Sequence, residues 1–133
     1  LRKYQSDGDL GVTDCMKILD GASNSHRDKQ IFFKAQIIFY LLIATDGHSK
    51  NFSIFHHSRD RYELAPLYDI LSAHPIIGKM SDQVPFQKAK MAMALKGSRN
   101  YYLAQQMQYR HFIQHAIETG ISANEADNLL AEL

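Results

Sequence analysis

The chain has 133 residues, of which 45% are hydrophobic and 22% are charged, and its formal net charge is +1 with histidine neutral. This size favours one domain with a sizeable hydrophobic core, and the near-neutral charge does not call for a nucleic-acid partner. The single cysteine, Cys15, excludes a disulfide framework within these residues and disfavours a thiolate zinc site. Because such cysteine usage fits a reducing compartment and no secretory leader is visible, we expect a cytoplasmic protein.

Two helices are predicted in the first third of the chain. Thr13 is a candidate N-cap for a short helix over residues 14–19, because its hydroxyl can accept an amide hydrogen. A second helix begins at Ser25 or Asp28, and apolar residues recur over residues 29–44 at spacings of three and four. Near its end this helix is apolar on most faces, which is typical of a central helix. Its apolar run is far shorter than the roughly 20 residues of a membrane span.

A β-hairpin is predicted after the second helix. Residues 51–55 alternate between polar and apolar side chains, as a half-buried strand does. Residues 61–65 alternate in the same way after a polar turn at residues 56–61. Pro66 ends the second strand because it has no amide hydrogen to donate. The two strands can therefore pair in antiparallel fashion.

The C-terminal half contains one ambiguous segment and two clearer helices. Residues 91–103 fit either a small hairpin or a broken helix. Residues 112–117 contribute one apolar helix face, and Gly120 ends that helix. Ser122 is predicted to cap a last helix, with Glu125 as its capping-box partner. Together these elements predict a mainly helical α+β fold.

The most informative residues lie around the first hairpin. Asp46 follows the long helix, Asn51 comes five residues later, and Asp69 lies just beyond the second strand. Because a hairpin brings its two ends to one edge, we expect these three side chains to lie close together. The arrangement is typical of the catalytic loop of a kinase and of the metal-binding aspartate that follows it.

These residue types suit phosphoryl transfer, which asks a protein mainly for positioning and charge neutralisation. Asp46 is the candidate base that orients the substrate hydroxyl and accepts its proton. Asn51 and Asp69 are candidate magnesium ligands, because Mg²⁺ prefers hard oxygen donors. Lys50 is a candidate for neutralising charge on the transferred phosphoryl group, and His48 for supporting Asp46 or the phosphates.

Purely structural roles stay open for the same residues. Asp46 and Gly47 form a dipeptide that is common in turns, and Asn51 can act as a turn or cap residue. Asp69 can be a helix N-cap, and His48 can be an ordinary hydrogen-bonded residue. Their joint spacing, after an apolar helix and around a hairpin, favours the catalytic interpretation.

Two stretches of the chain, residues 33–54 and 64–72, closely resemble the HipA family of bacterial serine/threonine kinases. The resemblance is looser from residue 91 to residue 133. Members of this family are the toxins of toxin–antitoxin pairs. The resemblance therefore implies the helical C-terminal lobe of a kinase, with a small β-hairpin that carries the catalytic loop.

The resemblance also implies site residues, cofactors and partners. By similarity to the family's motif, the resemblance implies that Asp46 is the catalytic base and that Asn51 and Asp69 bind Mg²⁺, with ATP as substrate. The implied partners are a helix-turn-helix antitoxin, through which DNA is contacted indirectly, and a protein substrate such as a tRNA synthetase. No membrane partner is implied.

The resemblance covers only the C-terminal lobe. The sequence shows neither a glycine-rich phosphate loop nor a strand with a phosphate-pairing lysine. We therefore expect residues 1–133 to be a single HipA-like C-terminal domain without its N-lobe, with little or no kinase activity alone. Whether the chain is a fragment or a natural stand-alone protein stays open. The alternative function is a non-catalytic binding module that engages an antitoxin or another protein.

Two further interpretations have weaker support. His56 and His57 could contribute to a metal site with His48 or His74, but adjacent residues of a strand point to opposite faces. A modest basic cluster over residues 88–99 could contact nucleic acid, although a solvated surface explains it better.

Overall fold

A computed structural model describes residues 8, 10–42, 44, 47–68, 77, 79–96, 100–103 and 106–132, with only the backbone of residues 94–96 and 100–102. Within these residues the α-helices are α1 (Val12–Asp20), α2 (Ser25–Leu41), α3 (Tyr109–Glu118) and α4 (Ala123–Ala131). The strands are β1 (Ile54–His56), β2 (Tyr62–Leu64), β3 (Lys90–Lys96) and β4 (Asn100–Leu103). They form two antiparallel hairpins, β1–β2 and β3–β4. The predicted α+β class is confirmed.

Helix α1 begins earlier than predicted. Its N-cap is Gly11, so the expectation that Thr13 caps this helix is wrong. The capping side chain belongs to Asp14 in the first turn of the helix, whose Oδ2 accepts a hydrogen bond from the Gly11 amide at 3.0 Å. Val12, which is 1% exposed, packs in the core and is the first residue of the helix.

Helix α2 begins at Ser25, one of the two predicted starts, and ends at Leu41 rather than at residue 44. The chain leaves the helix through a wide turn, in which the Ala44 amide donates to the Phe39 carbonyl at 2.7 Å. This turn directs Ala44 into the core, where it is 3% exposed. The apolar character of residue 44 therefore reflects burial after the helix rather than continuation of the helix.

The β1–β2 hairpin confirms the predicted antiparallel pairing. Ile54 lies opposite Leu64, and the turn places Arg59 and Asp60 in the left-handed region with φ of 61° and 56°. The first strand begins later than predicted. Asn51 does not belong to it and instead ends a short 3₁₀ helix at Ser49–Asn51, which we call the asparagine turn.

The β3–β4 hairpin resolves the ambiguity over residues 91–103. Lys90 lies opposite Leu103 and Lys96 opposite Asn100, with an irregularity in the register between these pairs. Strand β3 packs against α1 and α3. Ala92 of this strand is 0% exposed.

The two C-terminal helices have the predicted glycine and serine at their ends, but the prediction that Glu125 is the capping-box partner of Ser122 is wrong. Gly120 follows α3 with a φ of +92°, a left-handed conformation that glycine adopts without strain. Ser122 caps α4, since its Oγ accepts a hydrogen bond from the Glu125 amide at 3.2 Å. The Glu125 carboxylate instead reaches α2, where it contacts His26 at 2.6 Å and Gln30.

The hydrophobic core lies between the four helices and β3. Its largest fully buried apolar side chains are Phe32, Phe33, Met16, Ile121 and Val12. Among the described residues, no helix has the length and apolar character that crossing a membrane requires.

Candidate functional site

Three of the five predicted site residues lie in the described part of the chain: His48, Lys50 and Asn51. Asp46 and Asp69 lie outside the described residues, so their roles stay predictions. The geometry of the site is therefore built from the asparagine turn and the chain segments around it.

The asparagine turn holds Asn51 in one orientation. Its side-chain oxygen Oδ1 accepts a hydrogen bond from the His48 amide at 3.0 Å. Its own amide donates to the His48 carbonyl, also at 3.0 Å. His48 and Asn51 are each 7% exposed, whereas Lys50 between them is exposed to solvent. The turn thus places a buried, oriented amide group beside an exposed cation.

Aromatic rings of α2 pack against the residues on either side of the asparagine turn. A Cβ atom on Gly47 would lie 2.5 Å from Cδ2 of Phe39, so only glycine fits here without displacement. The Phe39 ring lies 5.7 Å from the Phe52 ring, which in turn lies 4.5 Å from the Phe32 ring. Sequence reasoning treated Gly47 as a turn residue. Its close approach to Phe39 is visible only in the packed structure.

Tyr68 attaches the chain after β2 to the asparagine turn. Its hydroxyl donates to the Lys50 carbonyl at 3.3 Å and lies 3.0 Å from Oγ of Ser53. The two ends of the hairpin therefore meet at the asparagine turn, as predicted from the hairpin. Sequence reasoning missed Tyr68, and its only signal was its position directly before Asp69.

A buried carboxylate fastens the same hairpin to α2. Asp28 is 0% exposed, and its Oδ2 accepts a hydrogen bond from the Leu64 amide at 2.8 Å. Its Oδ1 accepts from Nη2 of Arg27 at 3.0 Å, and this guanidinium also lies 3.5 Å from Glu63. A hydrogen-bonded charge of this kind is costly to disrupt, because the buried amide would lose its acceptor. Sequence reasoning had considered Asp28 only as a helix start.

A cavity of about 330 Å³ opens beside the asparagine turn, between α1, α2 and the β1–β2 hairpin. Its walls are mainly apolar and include Ile18, Phe32 and Ile54, and Lys50 and Ser53 also line it. Phosphate groups bind through amide, hydroxyl and cationic donors. The apolar walls therefore suit an apolar group better than a triphosphate.

The asparagine turn fits a magnesium ligand in its donor chemistry. An amide oxygen has two lone pairs, so accepting the His48 amide hydrogen is compatible with binding a metal through Asn51. Among the described residues, no group of three or more His, Cys, Asp or Glu side chains could hold a metal ion. His56 and His57 are both exposed, which gives the alternative histidine site no support in this part of the chain.

The fold and the asparagine turn define an α+β domain with a polar loop between a central helix and a hairpin. The chain belongs to the family of HipA-like C-terminal domains, whose model matches residues 1–133. The predicted family is therefore confirmed.

A solved structure from Shewanella oneidensis MR-1 has a similar fold. It is the complex of the toxin–antitoxin proteins HipA and HipB with their operator DNA. The match has a TM-score of 0.77 and 17% sequence identity, and it covers 97% of this chain. The chain spans 30% of the length of the chain that it matches. At this identity the likeness concerns the fold.

Proposed function

We propose that this chain is the catalytic lobe of a HipA-like serine/threonine protein kinase, which transfers a phosphoryl group from ATP to a protein hydroxyl. The observation that carries the proposal is the meeting of both hairpin ends at the asparagine turn. Asn51 is oriented there by two hydrogen bonds with the His48 backbone, and Tyr68 is attached to the Lys50 carbonyl. Phosphoryl transfer depends on this kind of fixed positioning.

In this proposal, Asp46 accepts the proton of the substrate hydroxyl, and Asn51 and Asp69 hold Mg²⁺. The metal, when bound, neutralises charge on the phosphates of ATP. Gly47, next to Asp46 in the sequence, lies close to the Phe39 ring of α2, and Tyr68, next to Asp69, donates to the Lys50 carbonyl.

Lys50 and His48 have supporting roles in this proposal, and their exposure to solvent distinguishes the two roles. Lys50 is exposed, so its ammonium group can reach a phosphate at the surface of the loop. His48 is 7% exposed and its backbone positions Asn51, so we propose that it shapes the loop rather than contacting phosphate.

Partners enter the proposal by similarity. The HipB and operator DNA of the Shewanella complex support an antitoxin partner for this chain, with DNA contacted through that antitoxin. The protein substrate is proposed to be of the tRNA synthetase class, and the location cytoplasmic. A complete kinase site also needs groups that cradle the ATP phosphates. We therefore expect residues 1–133 alone to turn over ATP slowly or not at all.

Calorimetric titration with ATP in the presence of Mg²⁺ tests the site. Asp69→Asn removes the negative charge of one proposed metal ligand, and Asn51→Leu removes the oxygen donor of the other, so each should abolish or strongly weaken binding. Asn51→Asp keeps an oxygen that can accept the His48 amide hydrogen and should retain binding. Asp127→Asn, an exposed change on α4, is the matched control.

Three results are distinguishable. Selective loss of binding in Asp69→Asn and Asn51→Leu supports the kinase site. Unchanged binding in both variants contradicts the assignment of these ligands. Absence of binding in the unmodified chain, together with capture of an antitoxin, would favour the non-catalytic module instead.

A further inference from the structure

Helix α3 carries a line of three apolar side chains, of which the first and the last are exposed and the middle one also packs against the core. Tyr109 is 55% exposed and Ile117 is 54% exposed, and the half-buried Ile113 lies between them. The three residues are spaced four apart, so their side chains follow one line along the helix. Large apolar side chains grouped in this way are typical of a surface that another molecule covers.

A polar line runs beside the apolar one. Arg110, Gln114 and Glu118 are all exposed and are also spaced four apart. The amide of Gln114 donates a hydrogen bond to Oε1 of Glu118 at 3.3 Å. An open groove of about 550 Å³ lies along the six residues of the two lines, which together form the outer face of α3. The opposite side of the helix is anchored, since Phe112 is 3% and Ala116 0% exposed.

We propose that a second copy of this chain binds the outer face of α3, with the two α3 helices antiparallel about a two-fold axis. In such a pair each line faces the same line of the other copy in the reverse direction. Arg110 of each copy then faces Glu118 of the other, and the two Gln114 side chains meet near the axis. The apolar lines cross at Ile113.

The charge pattern favours a second copy as the occupant. Arg110 and Glu118 carry opposite charges at equal distances on either side of Gln114, so the line is complementary to itself when reversed. A parallel arrangement would place like charges opposite each other, which is unfavourable. None of the six residues of the outer face of α3 is among those proposed for the kinase site.

The size of the surface predicts a weak dimer. Helix α3 has 10 residues, so at about 1.5 Å per residue it is roughly 15 Å long. A contact of this length lies at or below the lower end of stable interfaces, for which we expect a dissociation constant on the order of 100 µM. The association is therefore best captured by cross-linking or measured at high protein concentration.

Disulfide cross-linking tests the position of the axis. The variant Gln114→Cys should form a disulfide-linked dimer on mild oxidation, because the two residues face each other across the axis. The variant Asn128→Cys, at an exposed position on α4, is the matched control and should cross-link no more than the unmodified chain with Cys15. Equal cross-linking of the two variants would overturn the proposal.

Charge exchange tests the pairing itself. Sedimentation equilibrium should show dimerisation weakened about tenfold by Arg110→Glu and similarly by Glu118→Arg, because each change places like charges together twice per dimer. The double variant Arg110→Glu/Glu118→Arg should restore association. Lys88→Glu gives the same change of net charge as Arg110→Glu at another exposed site and should have little effect. Failure of the double variant to recover, or equal weakening by Lys88→Glu, contradicts the proposed pairing.

Discussion

The two hairpins are held against the helices by different forces. In β3, burial of apolar side chains dominates, since Met91, Ala92 and Met93 are 6%, 0% and 4% exposed. In β1–β2 the strands are short and Leu64, which is 8% exposed, is their only buried residue, whereas Phe55 is 50% exposed, so burial contributes less. That hairpin is attached instead through directional hydrogen bonds, of which the contact between Asp28 and the Leu64 amide is buried.

The two kinds of attachment differ in how well they tolerate substitution, which matters for the candidate site. Apolar packing tolerates a change of shape if volume is conserved, whereas a buried hydrogen bond depends on particular atoms. The asparagine turn precedes the hairpin that is held by hydrogen bonds. Single substitutions should therefore displace the candidate site more readily than they displace the β3–β4 hairpin.

The largest effect is expected at the buried carboxylate. Asp28→Ala should lower the free energy of unfolding by about 3 kcal/mol, because the buried Leu64 amide loses its acceptor and Arg27 loses its partner. Urea denaturation measures this loss. Asp28→Asn keeps an oxygen acceptor and should cost less than half as much. Equal losses in the two variants would show that the hydrogen bond to β2 is not the important attachment.

The matched change in the other hairpin is Met93→Ala. It should lower the free energy of unfolding by about 2.5 kcal/mol through loss of buried apolar contacts. Met93→Leu conserves volume and should cost less than about 1.5 kcal/mol in the same denaturation experiment. If the leucine variant were as unstable as the alanine variant, the contrast between the two hairpins would fail.

A somewhat smaller effect on stability is expected at Gly47, which precedes the asparagine turn. Gly47→Ala should cost about 2 kcal/mol, because the new methyl group collides with the Phe39 ring. The cost should be smaller in a Phe39→Leu background, where the ring is absent. Urea denaturation of the four proteins in this double-mutant cycle measures the coupling. Strict additivity would contradict a direct contact.

The smallest effect on stability is expected at Tyr68. Tyr68→Phe removes the hydroxyl of a residue that is 48% exposed and should cost about 0.5 kcal/mol. If the proposed site is correct, the same change should still weaken Mg²⁺-ATP binding, because the two hairpin ends lose one of their links. Asp127→Asn, at an exposed position on α4, is the control for both measurements. A loss of stability without any change in binding would separate Tyr68 from the site.

Local signals in the sequence were sufficient for the C-terminal helices. Gly120 and Ser122 act through their own backbone and side-chain chemistry, so their effect does not depend on distant contacts. The β1–β2 pairing was predictable for the same reason, because alternating strands lie on either side of a short polar turn. The Thr13 cap was wrong because the competing contact from Asp14 to Gly11 and the burial of Val12 determined the start of α1.

The candidate site was only partly predictable. Asn51 was identified by its spacing from Asp46, yet its place in a 3₁₀ turn rather than in a strand was not. Asp28 lies 36 residues from Leu64 in sequence, and Tyr68 lies 18 residues from Lys50. No periodicity or short motif relates residues so far apart, so these contacts could not be predicted from the sequence.

The sequence by itself determined the family, the α+β class, the helix ends around Gly120 and Ser122, and the polar residues proposed for catalysis. These features depend on local chemistry and residue spacing. Only the tertiary structure decided that Gly47 rests on Phe39, that Asp28 fastens β2, and that Tyr68 closes the hairpin on the asparagine turn. These contacts join residues that come together only after the helices pack, because packing sets which distant groups must share a buried hydrogen bond.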